Sequence, residues 1–376
     1  MSNTMDLKTL ANTWIPGLNT YQPGRPIEEV ARELGLGNVE EMVKLASNEN
    51  SLGPSPKAVA AMRAAAEEMH IYPDGDAFYL RQALAKRLGV GPGRLAFGHG
   101  SNELIALLGQ AFLNEGSSIV ISQYAFVVYE LVASLHRAKV IRVPARDFGH
   151  DLVAMRAAIE PSTKLVFVAN PNNPTGTMVS GAELERFVRS LPEHVALVLD
   201  EAYVDLLEEE DRPDALAWVN ENRKVFVLRT FSKGYGLAGV RIGYAVAPEA
   251  GIDLINRVRQ PFNVNAMAQV AALAALEDEE HLVDTRRMVR EGLVQVTEGC
   301  RAMGLEVVPS RVNFVLVRVG DGKGVFEALQ RRKVIVRPVG GYGLPEFIRV
   351  TVGTAAENRM FLAALPEVLA ETGCAV

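Results

Sequence analysis

The chain has 376 residues, 48% of them hydrophobic and 22% charged, with 39 basic and 45 acidic side chains and a formal charge of −6. That length exceeds what a single hydrophobic core usually serves, so two domains are expected, and the acidic balance argues against nucleic acid as the main partner. Two cysteines make neither a disulfide framework nor a zinc site and fit a reducing cytoplasm; no signal-peptide pattern opens the chain, and no apolar run approaches the roughly 18–20 residues that span a bilayer.

Residues 1–45 read as an arm, with turn-rich Trp14-Ile15-Pro16-Gly17 and Tyr21-Gln22-Pro23-Gly24 preceding one short helix at 27–34. From about residue 55 to 276, apolar strand runs alternate with helical patterns. Strands are predicted at 94–97, 118–121, 139–143, 164–169, 196–199, 225–228 and 241–247, with helices such as 103–113, 124–135 and 182–190 between them. Strand-helix alternation of this kind predicts an α/β domain, residues 46–277, built on a three-layer, mostly parallel sheet. A long helical stretch, 279–303, opens the remainder. Strands at 306–308, 313–319, 334–339 and 347–352, with helices at 324–332 and 356–370, predict a smaller C-terminal α+β domain over 278–376.

Three apolar runs end in polar groups of different kinds. One leads into Asn170-Pro171-Asn172-Asn173-Pro174-Thr175-Gly176, the next into Asp200-Glu201-Ala202-Tyr203, and the third into Arg229-Thr230-Phe231-Ser232-Lys233-Gly234, with Arg241 following. Parallel sheets collect ligand sites at the carboxyl ends of their strands, so these groups belong to one site. Taken alone, Lys233 reads either as a solvated loop lysine or as an amine poised to bond an aldehyde. Asp200, ending a buried strand, reads either as a helix cap or as the partner of a cationic ring nitrogen. Asn173 and Tyr203 suit a ring oxygen; a plain turn and a half-buried core aromatic are their alternatives. Gly98-His99-Gly100-Ser101-Asn102-Glu103 follows a strand and opens an apolar helix, where the Ser101 and Asn102 amides can hold a phosphate with Thr230, Ser232 and Arg241. Tyr124, just after the next strand, can stack on a planar ring. Gly234-Tyr235-Gly236-Leu237-Ala238-Gly239 spells the dinucleotide fingerprint, but a strand follows it instead of a helix, so these glycines read as loop and close-approach positions.

With these pieces in place, the chain resembles the fold-type I pyridoxal-phosphate enzymes of the class I/II aminotransferase group over essentially its whole length. The resemblance implies pyridoxal 5'-phosphate as cofactor, Lys233 as the Schiff-base lysine, Asp200 on the pyridinium nitrogen, and Asn173 and Tyr203 on the ring oxygen. It also implies Thr230, Ser232, Arg241 and the Ser101-Asn102 amides on the phosphate, with Tyr124 over the ring. A homodimer is implied too, in which Tyr72 reaches the partner subunit's cofactor phosphate.

Within the group, the arm Tyr21–Ile27, the loop Leu45–Asn50, Val334-Ile335-Val336-Arg337 and Phe347–Thr354 are most similar to the histidinol-phosphate aminotransferase family. That likeness implies two anionic small-molecule substrates sharing one site, histidinol phosphate and glutamate or 2-oxoglutarate, for which arginines are suited. Arg349 is assigned to glutamate's α-carboxylate, and Arg337, Tyr21 and Asn48 to the substrate phosphate. An aromatic amino-acid aminotransferase and a threonine-phosphate decarboxylase share the same cofactor residues and remain as alternatives. The loop departs from many relatives at Asn50-Ser51, where they carry proline after the second asparagine, and His99 has no role in this reading.

Overall fold

The structure, a computed structural model, describes residues 7–20 and 24–374. Its first strand, β1 (Val43–Lys44), precedes a seven-stranded sheet made of β2 (Leu95–Gly98), β3 (Ser118–Ser122), β4 (Lys139–Val143), β5 (Thr163–Ala169), β6 (Ala196–Asp200), β7 (Val225–Thr230) and β8 (Gly243–Val246). Their spatial order is β2-β8-β7-β6-β5-β3-β4. The pairs β3–β4, β3–β5, β5–β6 and β6–β7 are parallel; β8 alone runs against its two neighbours. This is the α/β architecture expected from strand-helix alternation.

The alternation along each strand shows why helices cover both faces. Val166, Val168, Leu197, Leu199, Val225 and Val227 enter one apolar cluster. The residues between them, Leu165, Phe167, Ala196, Val198, Phe226 and Leu228, enter another. A strand buried on both faces must be apolar at every position, and a parallel sheet therefore reads as continuous runs in sequence. Helices Gly181–Ser190 and Ala266–Leu276 contribute to the first cluster, and helices Ser101–Phe112 and Val127–Leu135 to the second.

Past the long helix Glu279–Ala302, β9 (Val307–Val308), β10 (Phe314–Arg318), β12 (Arg337–Pro338) and β13 (Phe347–Thr351) form an antiparallel sheet in the order β12-β13-β10-β9. The predicted strand 334–339 is two short ones, β11 (Val334–Ile335) and β12, because β11 leaves this sheet to pair with β1 in parallel register, Val43 opposite Val334. Helix Ile27–Leu34 packs Val30 and Ala31 beside Met42, Ala46 and Ile335, so the early part of the chain lies against the C-terminal part. Among the described residues no helix is long and apolar enough to cross a membrane.

The sheet edge carries the site. Gly98 pairs with Gly243, Gly243 with Thr230, and Asp200 with Ala169, so the polar segments after β2, β5, β6 and β7 all leave from one side of the sheet.

Candidate functional site

A cavity of about 290 Å³ opens at that edge, walled on the other side by the small sheet and the 46–49 loop. Ser101, Asn102, Asn173, Asp200, Tyr203, Thr230, Ser232, Lys233 and Arg241 line it, together with Asn48, Arg337 and Arg349. Two expected members, Tyr72 and Tyr124, do not line it. Tyr21 lies outside the described residues. Tyr72 is 80% exposed and stacks on Phe262 at 4.8 Å, away from this chain's own cavity.

Tyr124 is a correction. The predicted helix 124–135 begins only at Val127, so Tyr124 sits in the preceding turn, where its ring stacks on Phe148 with centroids 6.0 Å apart. Its carbonyl accepts from Asn172 Nδ2 at 2.9 Å. From this segment it is Phe126, two residues on, and Tyr129 that line the cavity.

Lys233 follows β7 on a tight turn in which Gly234 packs against Asp205 and Gly236, at φ +67, against the Gly53 carbonyl; a Cβ at Gly236 would stand 2.2 Å from that oxygen. These are the close approaches expected of the glycine-rich loop. The Lys233 amine donates to the carbonyls of Ser47 (3.2 Å) and Asn48 (3.0 Å) and lies 5.7 Å from the Tyr203 ring. Burial, helped by the Arg349 guanidinium, lowers its pKa to about 7. The neutral, nucleophilic amine is therefore well populated near neutral pH.

Asp200 ends β6 with its carboxylate accepting from Tyr129 Oη at 2.6 Å and from the Ala202 amide at 3.2 Å. It has no salt-bridge partner among the described residues, and burial raises its pKa. A buried carboxylate without a cation is costly, and a cationic group arriving in the cavity would relieve that cost. Tyr129, whose ring stacks on Phe167 at 4.6 Å, was missed in the sequence because a tyrosine on an apolar helix gives no sign that its hydroxyl meets a carboxylate 71 residues away.

Tyr203 is buried and its phenol rises to about 12, chiefly through burial. Its oxygen accepts from Asn48 Nδ2 at 2.9 Å, while the Asn48 carbonyl oxygen takes Thr351 Oγ1 at 3.2 Å. Both ends of the Asn48 side-chain amide thus brace Tyr203 and Thr351, while Nδ2 carries a second N–H at the cavity wall. Asn173 Oδ1 takes Arg349 Nη1 at 2.5 Å, and Arg349 Nη2 donates to Ala46 O at 2.9 Å. Asn50 fixes the loop that carries Ser51: its amide donates to Gly234 O (3.2 Å) and Thr285 Oγ1 (3.1 Å).

The anion cradle is built by backbone approach. Gly100, at φ +76, lets Arg241 lie against the start of helix Ser101–Phe112; a Cβ there would be 2.3 Å from Arg241 Nη2. Gly243 packs just as tightly, with a Cβ position 2.6 Å from the Ser101 amide nitrogen. Arg241 is itself at φ 62, and Nη1 lies 3.4 Å from Ser232 Oγ, which lies 3.0 Å from Thr230 Oγ1. His99 has a backbone role: its carbonyl accepts from Arg241 Nη2 at 3.5 Å and its amide donates to Glu103 at 2.5 Å. Behind the sheet edge, Arg229 pairs with the fully buried Glu201 at 2.8 Å.

Arg337 and Arg349 are directly opposite each other across β12 and β13. Like charges in register across a sheet are unfavourable, and two guanidiniums beside one cavity make a site for an anion. The donor set as a whole fits a phosphorylated pyridine aldehyde: a lone buried carboxylate, an amine titrating near 7, a phenol and an amide, and a helix N-terminus with hydroxyls and a guanidinium.

Comparison with known proteins agrees. Residues 40–365 match the family model for aminotransferase class I and II. A histidinol-phosphate aminotransferase of Akkermansia muciniphila is 49% identical over 97% of this chain and 100% of its own length. One from Thiobacillus denitrificans, histidinol-phosphate aminotransferase 1, is 51% identical over 93% and 91%. The crystal structure of histidinol-phosphate aminotransferase from Sinorhizobium meliloti in complex with pyridoxal-5'-phosphate superposes with a TM-score of 0.87 at 28% identity, covering 99% of both chains.

Proposed function

The chain belongs to the class I and II aminotransferases, and on that premise we propose that it is a pyridoxal-phosphate-dependent enzyme of histidine biosynthesis in the cytoplasm. It interconverts L-histidinol phosphate plus 2-oxoglutarate with imidazole acetol phosphate plus L-glutamate. The observation that carries the reading is the single cavity in which Lys233 and Asp200 face the cross-strand arginine pair, Arg337 and Arg349.

Pyridoxal phosphate, when bound, supplies an electron-withdrawing ring that stabilises negative charge developing at the substrate's α-carbon. The protein's residues do the rest. Asp200, oriented by Tyr129, would hold the ring nitrogen protonated. Tyr203, whose oxygen already accepts from Asn48, keeps its own hydroxyl proton to donate to the ring oxygen, and Asn173 would join it there. Thr230, Ser232, Arg241 and the Ser101 and Asn102 amides would hold the phosphate, and Phe126 supplies an aromatic surface in the cavity. Lys233 would hold the cofactor's aldehyde carbon, and its amine, seated by the Ser47 and Asn48 carbonyls, would take the substrate's α-proton and return it. Arg349 would bind the α-carboxylate of glutamate and Arg337 the phosphate of histidinol phosphate, with Tyr21 and Asn48 as further candidates.

The same reading divides the chain into an arm (1–45), a cofactor domain (46–277) and a small domain (278–376), and pairs two copies. The exposed rings of Tyr72, Phe78, Tyr79 and Phe262 support that pairing, with Tyr72 extended toward the other copy's phosphate site. The test is a half-reaction: cofactor-loaded protein is mixed separately with L-histidinol phosphate, L-phenylalanine and L-threonine phosphate, and the cofactor's visible absorbance is followed. Rapid conversion by histidinol phosphate in preference to the others is expected. Preference for phenylalanine would make it an aromatic aminotransferase, and release of carbon dioxide from threonine phosphate a decarboxylase.

A further inference from the structure

The segment joining the two arginine strands reads Val339-Gly340-Gly341-Tyr342-Gly343-Leu344, one aromatic among three glycines. A lone ring in so permissive a segment needs a tertiary reason to be there. Two backbone hydrogen bonds, Tyr342 N to Val339 O and Gly343 N to Gly340 O, both 2.9 Å, close it into a tight turn, and Gly343 takes φ +78 to leave it. Tyr342 packs against the apolar cluster of Val308, Leu316, Val339, Leu344 and Phe347. Tyr342 is therefore a fixed feature of the wall.

Tyr342 lines the site cavity and also a second cavity of about 280 Å³. Among the described residues Phe126, at the head of helix Val127–Leu135, is the other one common to both. The second cavity is also lined by Gln123 and the ion-paired Glu130 and Arg142, beside Ile121, Ala125 and Val127. Two aromatic side chains from opposite domains thus stand between the reacting groups and a further space of comparable size. The rest of the site wall is mostly charged or hydrogen-bonding, so the flat side chain of an amino donor has its apolar contact here. Tyr342 also lies in the connection between Arg337 and Arg349, within reach of the side chain of any substrate those arginines hold.

We propose that Tyr342, with Phe126, is the specificity-determining wall of the side-chain pocket: it limits the pocket to a ring of imidazole size and closes off a chamber that bulkier aromatic donors would otherwise enter. The proposal rests on the aminotransferase reading above and names the residue that restricts its substrate. Removing the ring joins the two cavities, whereas removing only its hydroxyl leaves the wall standing.

The experiment uses the cofactor-loaded enzyme and its Tyr342→Ala and Tyr342→Phe variants, with half-reaction kcat/KM measured for L-histidinol phosphate, L-phenylalanine, L-tryptophan and L-glutamate. Tyr342→Ala is expected to raise the ratio of tryptophan or phenylalanine over histidinol phosphate, and over glutamate, by about tenfold or more, the scale of discrimination an apolar pocket achieves. Tyr342→Phe keeps the parental ratios. Unchanged ratios in Tyr342→Ala, or an equal fall for every donor, would overturn the proposal, the latter marking a structural role only. Failure of the parental enzyme to convert histidinol phosphate would count against the functional reading instead, and the phenylalanine-to-glutamate ratio would still report on the wall.

Discussion

Lys233 has an ordinary pKa of 10.5 and is brought to about 7 by burial and the nearby Arg349 charge. Between those values the unfolded chain holds a proton that the folded chain lacks, so this group makes the folded state more stable as pH rises through that window. Below about 7 both states are protonated and its penalty is constant. Urea unfolding of the cofactor-free protein at several pH values in the window is expected to show this slope, and Lys233→Met to lose it. The same variant should lose half-reaction rate by about 10²–10⁴-fold, the usual contribution of a positioned proton-transfer group. Lys233 and Asp200 were readable in sequence because they end apolar runs. Tyr129 and Asn48 were not readable in their observed roles, since each acts on a residue distant in the chain.

Among the elements, the most constrained junction is where β8 begins beneath helix Ser101–Phe112. Gly243 brings the strand so near the helix that a Cβ would press on the Ser101 amide and on the carbonyls of Arg229 and Gly100. Backbone is the neighbour on every side, so the strain cannot be relieved by turning a side chain. Gly243→Ala should therefore push the helix start away from Arg241 and cost about 1–3 kcal/mol, the usual price of overpacking. A fluorescence titration of the cofactor-free variant with pyridoxal phosphate should show affinity lowered by more than about tenfold; parental affinity would mean the helix start does not hold the phosphate. The cross-strand placement of Arg337 and Arg349 belongs to this scale too. Their spacing in sequence gives two arginines, and only the antiparallel register sets them face to face.

For the molecule as a whole, the exposed rings are unevenly distributed. Tyr72 at 80%, Tyr79 at 75%, Ile71 at 59% and Phe78 at 53% come from one stretch of chain, with Phe262 stacked on Tyr72. Concentrated apolar exposure of this kind marks an interaction surface. Sedimentation of the purified protein is expected to give a dimer, and the double substitution Phe78→Glu with Tyr79→Glu to give a monomer with weaker cofactor retention, because Tyr72 would no longer reach the other copy. A parental monomer of full activity would refute the pairing.

The chain by itself determined the succession of strands in the large sheet, the two-faced burial of the parallel strands and the carboxyl-end clustering of Asn173, Asp200, Tyr203, Thr230, Ser232 and Lys233. All of these follow from local periodicity and from the direction in which a parallel sheet delivers its strand ends. Tertiary structure alone decided that Phe126 and not Tyr124 faces the cavity, that Asn48 braces Tyr203, that Tyr129 holds Asp200 and that Tyr342 separates two chambers. The physical reason is common to the four. In turns, at helix starts and on uniformly apolar helices, side-chain direction is not tied to a repeating pattern, so it is settled by whichever distant element packs against it.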